Sequence, residues 1–341
     1  MSRPLPVMFI HGLNGDPGDW TDSGFRQYLL AQGDLDPNLV RLFRYGVAED
    51  GTYNNRGDLR QIASRLAGAG LDEKDLLTSS VDRLSQDSVA KGGPAQVTII
   101  AHSLGGIVSR YYLSRRSPDQ FGTVYRGNVG RLITIGSPHR GVDLLKVTKL
   151  VPRGSLGWRL IRFLEKLGLA PALPASAVEQ WEATLESEQA EARARVVAVP
   201  DAAGPQARVL LTETPIYQQL APDSPLLAEL NTPGTMPSGV ECHCFWGDIR
   251  VAVHVRAGGL TLVDETVSFG DFAVPAHSAR EIPGASSTPH PYVTEQRIDL
   301  TIRGAPPAEE RSLNPVLPET AHANLLSNRA VHDAILSLLN E

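Results

Sequence analysis

The segment VTIIAHSLGGIVSRYYL, Val97–Leu113, constrains the fold more than any other stretch of the chain. A run of β-formers stops at a histidine, a serine and two glycines, and a helical run begins at once. A strand that turns this sharply into a helix holds the apical serine in a strained backbone conformation. That geometry demands small residues two before and two after it. Those positions are Ala101 and Gly105, and Gly106 lets the new helix lie close on the sheet. A serine hydroxyl is a poor nucleophile unless a base takes its proton, so Ser103 is a candidate nucleophile only if the chain supplies a base and an acid.

The surrounding pattern gives the turn its context. Val7–Ile10 reads as a buried strand ending at His11-Gly12, and Leu39–Tyr45 as a second. Arg56–Arg65 reads as a helix, Val97–Ala101 as the third strand and Gly105–Ser114 as the helix after it. Arg131–Ile135, Val240–Trp246 and Arg297–Ile302 read as further strands. Arg329–Leu339 is an amphipathic helix carrying Val331, Ile335, Leu338 and Leu339 at helical spacing. Short apolar strands alternating with helices predict an α/β fold with a mostly parallel, doubly covered sheet of about six strands.

Two stretches break this rhythm within what reads as a single domain spanning residues 1–341. Residues 144–231 are helix-rich, first basic and apolar, then acidic, and read as a helical lid or cap inserted over the strand ends. Residues 248–265 alternate Val251, Val253 and Val255 before Gly258-Gly259, a β-hairpin pattern.

Composition removes several function classes. The 341 residues carry a net charge of -6, which gives no electrostatic footprint for nucleic acid. No apolar run approaches the ~18 residues of a membrane span. The start MSRPLPVMFIHG runs straight into a strand without a leader, so a cytoplasmic location is expected. The two cysteines, Cys242 and Cys244, share one face of a strand and are poorly placed to bond each other. Cys242-His243-Cys244 alternates faces and cannot supply convergent metal ligands, so neither metal nor cofactor is expected.

The first strand's His-Gly ending offers a turn whose backbone N–H groups face the strand ends. An N–H on Leu13, with one on Leu104 after the serine, forms a candidate oxyanion hole. Each such donor is worth about 10²–10³ in rate.

FIHGLNG, IIAHSLGG and LITIGSPHRG together resemble the α/β-hydrolases, in particular the lipase-like branch of bacterial triacylglycerol lipases and hydrolases related to the glycosylphosphatidylinositol deacylases. QQLAPDSPLLAELN, DFAVPAHSAREIPGA and HANLLSNRAVHDAILSLL extend the likeness from residue 7 to 339. It does not reach residues 144–209 or 248–265. The chain departs from the family pattern at Ala101 for Gly, Ser137 for Thr, and Asp271-Phe272 for Asp-Gly.

In that family the order is serine, then acid, then histidine. Among nine histidines, His322 in the polar loop ETAHANLLSN stands where the family's base belongs. His102 neighbours Ser103, His11 and His139 follow strand ends, and His332 reads as a packed surface histidine on the last helix. Asp248 directly follows the fifth strand, where a minimal hydrolase carries its acid. Asp271 matches the family's Asp-x-x-Val-Pro-x-x-Ser, and Asp264 is a third possibility. The resemblance implies Ser103, Asp271 and His322 as the triad, with the hairpin inserted between strand and acid.

Within residues 144–231, Leu156, Leu160, Phe163, Leu164 and Leu167 share one helical face. Leu160 and Phe163 are candidate contacts to an acyl chain, on a lid that touches lipid surfaces transiently, or else part of a packed cap. The expected activity is ester hydrolysis of hydrophobic acyl substrates through an acyl-enzyme. A thioesterase or acyltransferase would use the same residues, and a non-catalytic hydrolase-fold protein would bind a hydrophobic ligand without turnover.

Overall fold

Val7–Ile10 (β1) is buried at every position, as a strand covered on both faces must be. Its side chains alternate between two cores: Met8 and Ile10 enter one, Val7 and Phe9 the other. The computed structural model describes residues 5–13, 15–45, 57–68, 79–143, 196–201, 204–257, 260–271, 273–302 and 319–341. After β1 come α1 (Asp19–Asp22), α2 (Phe25–Gly33), β2 (Val40–Phe43), α3 (Leu59–Leu66), α4 (Val81–Ala90), β3 (Val97–His102), α5 (Leu104–Ser114) and β4 (Val129–Ile135). Then follow β5 (Val196–Asp201), β6 (Gly204–Leu210), α6 (Pro215–Leu220), α7 (Pro225–Leu230), β7 (Glu241–Ala257), β8 (Leu260–Ser268), α8 (Ala276–Ala279), β9 (Thr288–Ile302) and α9 (Arg329–Asn340).

Among the described strands, six run parallel in the order β2-β1-β3-β4-β7-β9, and β8 joins the same sheet antiparallel to β7. Helices α3 to α7 contribute to one core, with Leu59, Leu84, Ile107, Ile216 and Leu227; α2 and α9 contribute to the other, with Leu29 and Ile335. The helix starts are local chemistry. Ser80 caps α4 by accepting from the Arg83 N–H, and Asn328 caps α9 by accepting from Ala330 and Val331. Thr214-Pro215 and Ser224-Pro225 pair a capping hydroxyl with a proline in the first turn.

The fifth and sixth strands are longer than their sequence patterns indicate. β7 pairs with β4 only over residues 241–245, then continues to Ala257 between β9 and the antiparallel β8. β9 begins at Thr288, ahead of the expected Arg297, and includes Pro289 and Pro291. Prolines suit a strand that has no further ladder partner on its outer side among the described strands.

The stretch 144–231 is heterogeneous. Its last two helices, α6 and α7, bury Ile216, Leu220, Leu226, Leu227 and Leu230 in the same core as α5. Among the described strands, β5 and β6 pair only with each other. The apolar helix expected over residues 156–169, with Leu160 and Phe163, lies outside the described residues. No helix among the described residues is long and apolar enough to cross a membrane.

Candidate active site

Ser103 sits between β3 and α5 with φ 52° and ψ −121°. Asp34 is the only other non-glycine residue with positive φ among the described residues. Such a conformation costs about 1–3 kcal/mol and persists only where its surroundings fix it. Here the Ser103 N–H donates to the Ile135 carbonyl at 2.9 Å, and the Gly106 N–H to the Ser103 carbonyl at 3.1 Å. A Cβ on Gly105 would lie 2.6 Å from the Ile10 carbonyl oxygen, so only glycine lets α5 start this close to β1. Ala101, the departure from the usual Gly, is fully buried in the core, which accommodates its methyl group.

His322 lies ahead of α9 and Asp271 follows β8. The His322 Nδ1 is 2.7 Å from Asp271 Oδ2, and the His322 N–H donates to the Asp271 carbonyl at 3.0 Å. The other carboxylate oxygen, Oδ1, accepts from the Ala273 and Val274 N–H groups at 3.0 and 2.6 Å. The carboxylate is thus buried with both oxygens occupied, while the imidazole keeps about a fifth of its surface exposed (20%). Gly136, at φ 58°, makes room for this pair: a Cβ there would lie 2.9 Å from Asp271 Oδ2 and 3.0 Å from His322 Nδ1.

The link from His322 to Ser103 runs through the neighbouring residue. His102 packs against His322 with ring centroids 4.6 Å apart, and its Nε2 lies 3.3 Å from the His322 carbonyl oxygen. Ser103 and His322 thus come to the same end of the sheet without a direct hydrogen bond. Contacts of this kind commonly close only when substrate arrives.

The other acids are engaged elsewhere. Asp248 is buried and accepts from the Ser268 hydroxyl (2.5 Å), the Gly270 N–H (3.2 Å) and Arg250 Nε (2.8 Å). It braces the base of the β7–β8 hairpin against the loop that leads to Asp271. Asp264 is exposed and paired with His254 at 2.8 Å. Of the three acids, Asp271 is the one brought to His322.

The other histidines weighed as the base are packed. Burial lowers the pKa of His11 to about 4, partly opposed by its bond to the Gly12 carbonyl and by Asp16. Burial, with His322 nearby, holds His102 well below the ordinary histidine range. Burial and the neighbouring Arg110 do the same to His139, whose Nε2 lies 3.1 Å from Thr134 Oγ1. His332 is buried rather than superficial, stacked 4.2 Å from Phe25 and 2.6 Å from the Leu326 carbonyl oxygen. Cys242 and Cys244 are free, buried thiols; burial pushes Cys242 up to about 12. Among the described residues no cluster of three or more histidine, cysteine or carboxylate side chains is arranged to hold a metal ion.

Leu104 opens α5, so its N–H belongs to the first turn, where no intrahelical acceptor exists. Leu13 lies in the turn after β1 and packs partly on the core. Arg110, on the same helix as the elbow, has no counterpart among the residues singled out by sequence. Its fully buried guanidinium donates to the His139 and Leu230 carbonyls and to Asn231 Oδ1. Nothing in RYYLSRR marks this arginine as internal.

A six-stranded parallel sheet, helices on both faces and a serine on a strained strand-to-helix turn define the α/β-hydrolase fold. Residues 51–151, which carry the elbow, match the family model described as the PGAP1-like alpha/beta domain. In fold the chain is an α/β-hydrolase. Lipase 1 from Pelosinus fermentans is similar at 12% identity and TM-score 0.46, over 99% of this chain and 98% of that one. EstA from Clostridium botulinum is similar at 12% identity and TM-score 0.42, over 99% and 87%. Lipase BlEst2 from Bacillus licheniformis, in its mature form, is similar at 13% identity and TM-score 0.40, over 98% and 91%. Comparison with curated proteins gives no match.

Proposed function

We propose that the chain is a serine carboxylic ester hydrolase that cleaves hydrophobic acyl esters through an acyl-enzyme. The observation that carries this reading is the buried Asp271–His322 pair beside a serine held at φ 52°. Ser103 Oγ attacks the ester carbonyl while His322 Nε2 takes its proton. The same Nε2 then returns that proton to the departing alkoxide, and a water molecule repeats the sequence to release the acid. The Asp271 carboxylate holds the Nδ1–H tautomer and stabilises the imidazolium. The Leu13 and Leu104 N–H groups receive the developing oxyanion. A hydrophobic acyl portion is supported by the apolar periodicity that includes Leu160 and Phe163. In this reading that apolar face covers the acyl chain and meets lipid surfaces transiently.

The test is covalent labelling by a fluorophosphonate with peptide mapping, alongside a p-nitrophenyl ester series from acetate to laurate. We expect the label on Ser103, rates that rise with acyl length, and loss of both label and turnover in Ser103→Ala. An unlabelled Ser103 in a folded protein would overturn the enzymatic reading in favour of a ligand-binding hydrolase fold.

A further inference from the structure

Tyr45 stands two residues past the end of β2, and its hydroxyl reaches the turn after β1. It donates to the His11 carbonyl at 2.7 Å and lies 3.4 Å from the Gly12 carbonyl oxygen. The Tyr45 and His11 rings stack face to face, 4.0 Å apart with 4° between their planes, and both residues are buried. His11 Nδ1 lies 3.1 Å from the Gly12 carbonyl oxygen. A carbonyl oxygen only accepts, so this nitrogen carries the proton. The Gly15 N–H donates to the same oxygen at 3.3 Å.

The Gly12 carbonyl shares its peptide plane with the Leu13 N–H. A trans peptide sets the two on opposite sides of the chain, and none of the described peptides is cis. Fixing the oxygen therefore aims the hydrogen. The turn itself lies against the elbow: a Cβ on Gly12 would come within 2.9 Å of Ser103 Cβ. A donor aimed before the reaction stabilises charge without reorganising as that charge forms, and this is where such donors gain their effect. Burial holds His11 neutral down to about pH 4, so the Nδ1–H bond persists across neutral pH.

We infer that Tyr45 and His11 are positioning residues that aim the Leu13 N–H at the oxyanion of the tetrahedral adduct on Ser103. The inference rests on the serine-hydrolase reading above. It predicts an effect on the transition state and none on ground-state binding, although neither side chain touches substrate.

Three variants separate the parts. Tyr45→Phe removes the hydroxyl and keeps the ring. His11→Asn keeps a side-chain donor near the Nδ1 position, whereas His11→Phe keeps a flat ring without one. Each is assayed for kcat and KM on p-nitrophenyl butyrate, for inhibition by phenylboronic acid, which forms a tetrahedral adduct on a serine nucleophile, and for thermal unfolding. We expect Tyr45→Phe to lower kcat about tenfold, part of the 10²–10³ that one oxyanion donor supplies, with KM unchanged. Boronate affinity should weaken by a similar factor, and His11→Asn should retain more kcat than His11→Phe. Parent-like kcat and boronate affinity in Tyr45→Phe would overturn the inference, as would a change confined to KM or to melting temperature. Tyr45→Phe decides alone if His11→Phe does not fold. If the parent neither turns over ester nor takes the fluorophosphonate at Ser103, the functional reading fails and the clamp falls with it. An active parent with an unaffected Tyr45→Phe removes the clamp alone.

Discussion

Replacing Asp271 by asparagine changes one oxygen to an NH2 group, and the surrounding hydrogen bonds decide which way the new amide points. Oδ1 accepts from two backbone N–H groups, at 3.0 and 2.6 Å, and Oδ2 from His322 Nδ1 at 2.7 Å. The asparagine oxygen must stay with the two backbone donors, because turning the NH2 toward them would cost about 1–3 kcal/mol for each donor left unpaired. The NH2 then faces His322 Nδ1, which can only accept from it. The ring proton moves to Nε2, the atom that receives the Ser103 proton in the proposed reaction. The variant folds with the same number of hydrogen bonds and the other tautomer. In a Ser-His-Asp triad this change lowers kcat about 10⁴-fold, or about 5 kcal/mol of transition-state stabilisation. The assay is kcat on p-nitrophenyl butyrate beside urea unfolding. We expect the full kinetic loss with a stability change below about 1 kcal/mol. Asp248→Asn is the control: it sets an NH2 against Arg250 or against Ser268 and Gly270, and its cost should be in stability, with kcat nearly unchanged. An Asp271→Asn variant within about tenfold of the parent, or a larger kinetic loss in Asp248→Asn, would refute the assignment.

Gly105→Ala should destabilise the protein by about 1–3 kcal/mol in urea unfolding, and slow fluorophosphonate labelling, because its Cβ would meet the Ile10 and His11 carbonyl oxygens at 2.6 and 2.8 Å. A stable Gly105→Ala with unchanged labelling would mean that α5 can withdraw from β1 without loss. Acid should destabilise the fold before its carboxylates titrate. His11 falls from its ordinary 6.5 to about 4 on burial, so the folded state binds fewer protons than the unfolded one between those values. Its contribution is complete above pH 6.5 and is lost as pH falls toward 4, about 3 kcal/mol over the window. Buried His102 and His139 shift the same way. Urea midpoints that stay flat from pH 6.5 to 4 would contradict this burial.

Some of the fold is legible in sequence because it is local. Ala101, Ser103, Gly105 and Gly106 fall within six consecutive positions, so the spacing marks the turn, although the atoms that demand glycine at 105 and 106 lie on β1 and after β4. Thr214-Pro215 and Ser224-Pro225 likewise announce helices in the last part of the 144–231 stretch, but nothing in their order says that Ile216 and Leu227 enter the main core. The acid is harder. Asp248 stands where chain order would put it, and only the course of β7 and β8 shows that its carboxylate braces the hairpin base while Asp271, 51 residues before His322, reaches the imidazole. Pro289-His290-Pro291 stands ahead of the strand expected at Arg297–Ile302, yet belongs to β9, which pairs among the described strands with β7 on one side. Tyr45 in RLFRYG reads as the end of a strand. Its bond to His11, 34 residues away, exists only once β1 and β2 lie side by side.

The elbow's strain needs support that the turn itself does not contain. The Ser103 N–H bond to Ile135 ties its start to β4, and Gly105 seats the first turn of α5 on β1. Arg110 fixes the middle of the helix through three acceptors on two other segments: the His139 carbonyl at 3.2 Å, the Leu230 carbonyl at 2.7 Å and Asn231 Oδ1 at 2.9 Å. Burial lowers this arginine to about 10, so it is still charged at neutral pH, where hydrogen bonds from a charged donor are about twice as strong as neutral ones. All three acceptors are neutral oxygens. A carboxylate in their place would add a buried negative charge beside α5. Carbonyl dipoles hold the cation without adding that charge. The helix behind Ser103 is thus held at its start by β4 and β1 and in its middle by Arg110, and both supports lie outside the turn itself.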